Sequence, residues 1–190
     1  MLVNVDEGDI ERQMDELRRF KQINMLRVAA ADIMDVLPIM QVSDQLTWMA
    51  EALLDEVHRE SLRELVRRHG QPACIVNNHP YTPGLSVIGY GKLGGLELGY
   101  GSDLDIVFLH DSAGEQQETD GEKVLDNAQF FARVTQKMIS RMTTQTPAGV
   151  LYEIDTRLRP DGASGLLVSS LTAFEDYQRH HAWAWEHQAL

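Results

Sequence analysis

The sequence predicts an α+β fold in which a helical segment precedes a mixed β-sheet flanked by helices. Apolar residues recur at steps of three and four through much of the first third of the chain, which is the spacing of an amphipathic helix. After residue 73 the pattern changes to short strand-like segments separated by a glycine-rich turn and an acidic loop. We therefore divide the 190 residues into a helical segment, residues 1–72, and a second domain, residues 73–190.

The helical segment is expected to contain two long helices. The first covers residues 6–36 and is stopped by Pro38. The second covers residues 44–69, with Ser43 as its N-cap and basic residues in its last turn, where they complement the helix dipole. Gly70 then ends the second helix. Because no polar residues of these helices converge on a site, we interpret them as a layer that packs against the second domain.

The second domain is expected to contain strands, an acidic loop and two helices. Four strands are predicted, at residues 85–89, 105–110, 150–157 and 166–169. The acidic loop covers residues 111–122 and leads into a helix over residues 122–142. Thr172 and Glu175 have the spacing of a capping box for a last helix over residues 173–190. Because this helix has no stop signal, we expect the chain to be truncated before a C-terminal helical bundle.

Charge and composition exclude several classes of protein. The 17 Lys and Arg residues against 29 Asp and Glu residues give a net charge of −12. This balance argues against nucleic-acid binding and against binding to an anionic membrane surface, since both need basic surface. The single cysteine, Cys74, excludes an internal disulfide and a cysteine-rich zinc site. We expect an acidic cytoplasmic protein with no nucleic-acid and no membrane partner.

The glycine-rich turn after the first predicted strand has two common interpretations that fail here. Gly89, Gly91 and Gly94 have the spacing of a dinucleotide-binding fingerprint. That fold needs a crossover of a dozen or more residues, mostly helical, between its parallel strands, and the eight residues between Gly94 and Asp103 are too few. A Walker A loop fails because Lys92 is followed by leucine, where Ser or Thr would hold magnesium.

A pair of acidic residues gives the turn a better interpretation. Side chains of an extended strand alternate between its faces, so Asp103 and Asp105 point the same way. Two carboxylates on one face repel each other unless a divalent cation holds them. Backbone amides freed by the preceding glycines are able to cradle phosphate. A cation site beside a phosphate-binding turn indicates phosphoryl or nucleotidyl transfer.

The third predicted strand supplies a further acid and two basic residues. Asp155, Arg157 and Arg159 alternate onto one face of that strand. Glu153 lies on the same face, and the pattern alone leaves it as an alternative third acid. Guanidinium groups suit polyphosphate oxygens, although Arg157 could equally form an ion pair that holds Asp155, and the two roles are compatible. Lys92 is either a phosphate ligand or a solvated lysine of the turn.

These motifs resemble the nucleotidyltransferase superfamily, and more closely the family of bifunctional glutamine synthetase adenylyltransferase/adenylyl-removing enzymes. The resemblance covers nearly the whole chain, and its main segments are GYGKLGGLELGYGSDLDIVFLHD, GVLYEIDTRLRPDGASGLLVSS and AFEDYQRHHAWAWEHQAL. It implies a polymerase-β-like fold, with residues 73–190 as the catalytic domain. Members of this family carry two catalytic halves, one that attaches AMP to a tyrosine of glutamine synthetase and one that removes it by phosphorolysis. The forms YGKLGG, YGSDLD and WEHQAL are similar to the adenylylating half.

The resemblance also implies a set of site residues, cofactors and partners. The metal-binding and catalytic acids are expected to be Asp103, Asp105 and Asp155. The nucleotide-binding residues are expected to be Lys92, Gly94, Gly95, Ser102, Arg157 and Arg159. The implied cofactor is Mg²⁺ or Mn²⁺ with ATP as substrate, the implied protein substrate is glutamine synthetase, and the implied regulators of the full-length enzyme are the PII signalling protein and glutamine. The alternatives are the adenylyl-removing half and a non-catalytic regulatory module of the same fold.

Overall fold

A computed structural model describes residues 9–183 and 186, and it begins with two long helices as predicted. Helix α1 covers Ile10–Ile33 and helix α2 covers Ile39–His69. Helix α2 is longer than predicted because it begins directly after Pro38, whose carbonyl accepts the first helical hydrogen bond from the Val42 amide at 3.1 Å. Ser43 as N-cap is therefore wrong, since Ser43 lies inside α2 and its carbonyl accepts a hydrogen bond from Thr47 Oγ1 at 2.9 Å.

A small antiparallel sheet that the sequence did not predict follows α2. Its strands are β1 (Pro72–Val76), β2 (His79–Tyr81) and β5 (Glu115–Thr119), in the order β2-β1-β5. Strand β5 lies inside the stretch predicted to be an acidic loop, and its mostly polar, exposed side chains hide it from a hydrophobic pattern. The tight turn between β1 and β2 is made by Asn77 and Asn78, whose φ angles of 51° and 64° are those of a hairpin turn.

The main sheet is mixed, as predicted, and it is built around one central strand. Strand β4 (Leu104–His110) pairs antiparallel with β3 (Leu85–Gly89). It pairs parallel with two short strands, β6 (Ile154–Asp155) and β7 (Val168–Ser170). The bounds of β3 were predicted correctly, whereas β6 is only two residues of the eight-residue strand expected over residues 150–157. A single turn of helix, α3 (Gly91–Gly94), connects β3 to the approach to β4.

Two further helices cover the sheet. Helix α4 (Asn127–Thr143) starts at the Asp126 cap, and helix α5 (Leu171–His180) starts at Ser170, whose hydroxyl accepts the Ala173 amide at 3.2 Å. The predicted capping box is therefore wrong, because Ser170 holds the cap position. The last helix also ends earlier than expected, at His180, and residues 184–185 and 187–190 of the predicted helix lie outside the described residues.

The central strand separates two apolar clusters, as the predicted alternation requires. Leu104, Ile106 and Phe108 are buried in the main core together with side chains of α1, α2 and α4. Val107 and Leu109 face the other side of the sheet. Alternating burial fixes which face of β4 each side chain occupies and so fixes the direction of Asp105. Among the described residues, no helix has the length and apolarity to span a membrane.

Candidate active site

Three carboxylates meet where β4 and β6 begin to pair. Asp105 lies opposite Asp155 in the parallel register of these strands, and Asp103 precedes β4 by one residue. One oxygen of each of the three carboxylates lies within 4.8 Å of one from each of the others. The sequence predicted that these acids would share a face, and the structure brings them together.

Backbone hydrogen bonds hold the strand ends that carry the acids. The Leu104 amide donates to the Glu153 carbonyl at 3.0 Å, which ties β4 to the approach to β6. The Tyr90 amide donates to the Asp105 carbonyl at 2.8 Å, which ties β4 to the start of α3. Leu104 itself is fully buried. The three acids therefore project from a backbone that is anchored in the core on one side and paired on both edges.

The electrostatics of the cluster suit a divalent cation. Partial burial, followed by the charges of Asp103 and Asp155, raises the pKa of Asp105. The pKa of Asp155 is held below its ordinary value, first by the hydrogen bonds of the Arg157 side chain. Carboxylate oxygens are the ligands that Mg²⁺ and Mn²⁺ prefer, and a cation would relieve the repulsion that acts on Asp105. Glu153, the alternative third acid, is exposed, and the cluster forms without it.

Two glycines of the turn leave space for neighbouring backbone and for a carboxylate of the cluster. Gly91 has a φ of +51°, and a Cβ at this position would lie 2.9 Å from Asp105 Oδ2. A Cβ at Gly94 would lie 2.6 Å from the Gly89 carbonyl oxygen. These glycines let α3 pack directly on β3 and on the Asp105 carboxylate. Gly91 was not among the predicted site residues, although its place just after a strand was a signal for it.

The amides of Gly94 and Gly95 already have backbone partners within the turn. The Gly94 amide donates to the Tyr90 carbonyl at 3.1 Å, and the Gly95 amide donates to the Gly91 carbonyl at 2.9 Å, because the turn folds into helix α3. Their contribution to the site is the absence of side chains. The Ser102 hydroxyl also has a partner within the turn. Its oxygen accepts a hydrogen bond from the Gly99 amide at 3.0 Å, which closes the turn that leads to Asp103.

The three basic residues predicted to bind phosphate lie in different environments. Lys92 is exposed and near enough to Asp105 to oppose the rise in the pKa of that residue. Arg157 is bonded to Asp155, and its side chain is 81% exposed. Arg159 lies in the loop after β6, close enough to Asp155 for its charge to help lower the pKa of that carboxyl. The Arg159 guanidinium also donates to carbonyl oxygens of this loop, those of Thr156 (2.8 Å), Ala163 (3.1 Å) and Gly165 (3.4 Å). Arg159 as a phosphate ligand stays a prediction.

Helix α1 braces both segments that lead to the acids, which the sequence did not predict. Arg18 is buried, and its guanidinium donates to the carbonyl oxygens of Gly149 and Thr144, each at 2.6 Å. These carbonyls belong to the loop that leads to Asp155. At the other end of α1, Asp32 accepts a hydrogen bond from the Tyr100 hydroxyl at 2.9 Å, in the turn that leads to Asp103. Helix α1 thus contacts both the segment that leads to Asp155 and the segment that leads to Asp103.

Comparisons with known proteins agree with one another. A family model described as "Glutamate-ammonia ligase adenylyltransferase" matches residues 1–190. A protein of Thioalkalivibrio sulfidiphilus is 64% identical over 189 residues, which are 100% of this chain and 20% of the relative. Proteins of Pseudomonas putida and Pseudomonas aeruginosa are 58% and 57% identical over 189 residues, which are 100% of this chain and 19% of each relative. All three relatives carry the name bifunctional glutamine synthetase adenylyltransferase/adenylyl-removing enzyme. The chain therefore spans about a fifth of the length of these curated relatives.

Proposed function

The chain belongs to the glutamate-ammonia ligase adenylyltransferase family, and from that premise we propose that its three-carboxylate cluster transfers AMP from ATP to a tyrosine hydroxyl of glutamine synthetase. The observation that carries the proposal is the meeting of Asp103, Asp105 and Asp155 at the edge between β4 and β6. Residues 73–190 form the catalytic domain in this proposal, and residues 1–72 form the helical segment that supports it.

The three acids would hold Mg²⁺ or Mn²⁺ in this reaction. When bound, such a cation neutralises the triphosphate and lowers the pKa of the incoming hydroxyl. The tyrosyl oxygen attacks the α-phosphorus, the bond to the β-phosphate oxygen breaks, and pyrophosphate leaves. The proton of the hydroxyl passes to Asp155 or to water. Asp155 belongs to the same cluster as Asp103 and Asp105, so its carboxylate would accept a hydrogen bond from the hydroxyl.

The glycine turn and its basic neighbours would receive the phosphate chain. Gly94 and Gly95 present a surface without side chains, and Ser102 holds the turn that carries Asp103. Lys92 and Arg157 are exposed cations close to the acids, so they are placed to bind the oxygens of the triphosphate and of the leaving pyrophosphate.

The partners of the proposed enzyme follow from the same family membership. Glutamine synthetase is the protein substrate, and the PII signalling protein and glutamine regulate the longer enzyme. The net charge of −12 supports a reaction without a nucleic-acid or membrane partner. The scarcity of cysteine supports a cytoplasmic location.

Removal of AMP is a second candidate because the relatives are named for both activities. In that reaction, inorganic phosphate attacks the phosphorus of the adenylyl group, the bond from that phosphorus to the tyrosyl oxygen breaks, and ADP and the free tyrosine are formed. Two incubations of the chain separate the two candidates. We expect pyrophosphate release from ATP and Mg²⁺ that depends on glutamine synthetase, and no ADP from phosphate and adenylylated glutamine synthetase. ADP formation without pyrophosphate release would assign the chain to removal, and inactivity in both incubations would favour a non-catalytic module.

A further inference from the structure

Arg157 covers both oxygens of the Asp155 carboxylate. Its backbone amide donates to Oδ1 at 2.8 Å, and its Nε donates to Oδ2 at 2.7 Å. Its Nη2 also donates to Oδ2. The guanidinium is therefore the counter-charge of Asp155 in this structure, and through Asp155 it sits beside the other two acids of the cluster.

The hydrogen bonds between these two residues are of two kinds: one from the Arg157 backbone, which is fixed, and two from its guanidinium, which can move. The backbone amide of Arg157 holds Oδ1 whatever the side chain does, so it preserves the orientation of Asp155. The guanidinium is free to leave at little cost, because the Arg157 side chain is 81% exposed whereas that of Asp155 is 14% exposed. Exposed ion pairs change equilibrium constants by about fivefold at most.

A divalent cation and this guanidinium compete for one carboxylate. A cation held by all three acids would lie beside Asp155, where its charge would repel the guanidinium that is bonded to the same carboxylate. Once displaced, Arg157 stays at the rim of the cluster, tethered by its own backbone. An anionic phosphate group beside the cation is then the nearest new partner of opposite charge.

We propose that Arg157 exchanges partners: its guanidinium holds Asp155 while no cation is bound, and it turns to a phosphate group of the nucleotide once Asp155 holds a divalent cation. The inference rests on the proposed function, because it takes the three acids as the cation site. It adds a coupling, in which cation binding prepares one specific side chain to bind phosphate.

The first test follows the side chain itself, by ¹H–¹⁵N spectra of the Arg157 Nε–H group in the 190-residue chain. The signal is identified by its loss in Arg157→Gln. Titration with Mg²⁺ alone is expected to shift this signal saturably and to speed its exchange with water. A signal that does not move over a range in which Mg²⁺ raises the melting temperature of the chain would overturn the exchange of partners.

The second test measures Mn²⁺ binding without nucleotide, by electron paramagnetic resonance of the free ion. Arg157→Gln is expected to bind Mn²⁺ about two- to fivefold more tightly than the wild-type chain, because the competing guanidinium is gone. Lys92→Gln is the matched control, since it removes one positive charge near Asp105 but no hydrogen bond to Asp155. An equal increase in Mn²⁺ affinity in both variants would show that only the loss of a positive charge matters, and it would overturn the inference. Weaker Mn²⁺ binding by Arg157→Gln would also overturn it.

The third test measures ATP binding by calorimetry, with Mg²⁺ and with a chelator in its place. Arg157→Gln is expected to lower ATP affinity several-fold with Mg²⁺ and not without it, whereas Lys92→Gln is expected to lower it under both conditions. Equal losses under both conditions for Arg157→Gln would contradict the coupling.

The controls keep the two proposals apart. If neither the wild-type chain nor Arg157→Gln binds Mn²⁺, the cation site of the proposed function is wrong, and the inference falls with it. If Asp105→Asn abolishes Mn²⁺ binding while Arg157→Gln leaves it unchanged, the cation site stands and the inference alone is contradicted.

Discussion

Gly91→Ala tests how closely the glycine turn packs against the Asp105 carboxylate. The φ of +51° at Gly91 is a left-handed conformation, which costs a residue with a side chain about 1–2 kcal/mol. The added Cβ would also lie 2.9 Å from Asp105 Oδ2, and an ordinary contact begins at 3.4 Å. The Asp105 carboxylate must therefore move by about 0.5 Å. Displacements on the order of 1 Å at a reacting centre cost about a hundredfold in rate.

We therefore expect Gly91→Ala to lower the rate of AMP transfer by about ten- to a hundredfold and the free energy of unfolding by about 1–2 kcal/mol. For a chain of this size, each kcal/mol lowers the melting temperature by about 2–4 °C. Gly101→Ala is the matched control, since a Cβ at Gly101 meets nothing within 4 Å and its φ lies outside the left-handed region. The assays are thermal unfolding and the initial rate of glutamine synthetase adenylylation. Equal activity in the two variants would refute the argument that Gly91 makes room for Asp105.

Four further predictions concern the site and its supports. Asp155→Asn should leave ATP binding largely intact but abolish AMP transfer, whereas Glu153→Gln should keep most of the transfer rate. A lower transfer rate for Glu153→Gln than for Asp155→Asn would identify Glu153 as the third acid. Because the pKa of Asp105 is raised in the folded chain, ionisation of Asp105 destabilises the fold as pH rises through its unfolded and then its folded pKa. Asp105→Asn should therefore raise the melting temperature at neutral pH without Mg²⁺ and remove the increase that Mg²⁺ gives; a lower melting temperature would contradict the repulsion. The pKa of Asp155 is lowered in the folded chain, so ionised Asp155 adds to the free energy of unfolding. This stabilisation is complete above the ordinary pKa of 3.8 and is lost as the pH falls through the lower folded pKa. Melting temperatures measured over an acid pH series would detect the loss. Arg18→Ala should cost about 3 kcal/mol in urea unfolding, because buried carbonyls lose their donor, while the exposed neighbour Arg19→Ala should cost little; equal losses would disprove the brace.

The acids could be predicted from sequence because the information is local. Alternation along β4 places Asp103 and Asp105 on one face, and burial of Leu104 and Ile106 fixes which face that is. The alternation of the later segment left Glu153 and Asp155 as alternatives, and the family resemblance favoured Asp155. The structure places Asp155 opposite Asp105 in the parallel pairing of β4 and β6.

The sequence did not predict several hydrogen bonds whose partners depend on the folded chain. Ser43 has the chemistry of a cap, but Pro38 begins the helix earlier. Gly94 and Gly95 look like a phosphate loop, yet their amides close α3. Arg159 alternates with Asp155 in an extended strand, but the strand ends and its guanidinium turns to loop carbonyls.

The missed small sheet divides into a part that had a signal and a part that did not. Asn77 and Asn78 between two short segments are a hairpin signature, so β1 and β2 were open to prediction. Strand β5 had none, because its residues are polar and its partner lies about forty residues earlier in the chain. The brace formed by Arg18 and Asp32 is likewise a set of contacts between distant residues, which no local pattern encodes.

The intact mass of glutamine synthetase after incubation with the chain, ATP and Mg²⁺ tests the central claim most directly. The three-carboxylate site predicts a mass increase of one AMP group per modified subunit, located on a tyrosine by fragmentation. The increase should be absent with Asp105→Asn and present with Glu153→Gln. Unmodified glutamine synthetase after incubation with folded wild-type chain that binds Mn²⁺, or equal modification by Asp105→Asn, would contradict the assignment.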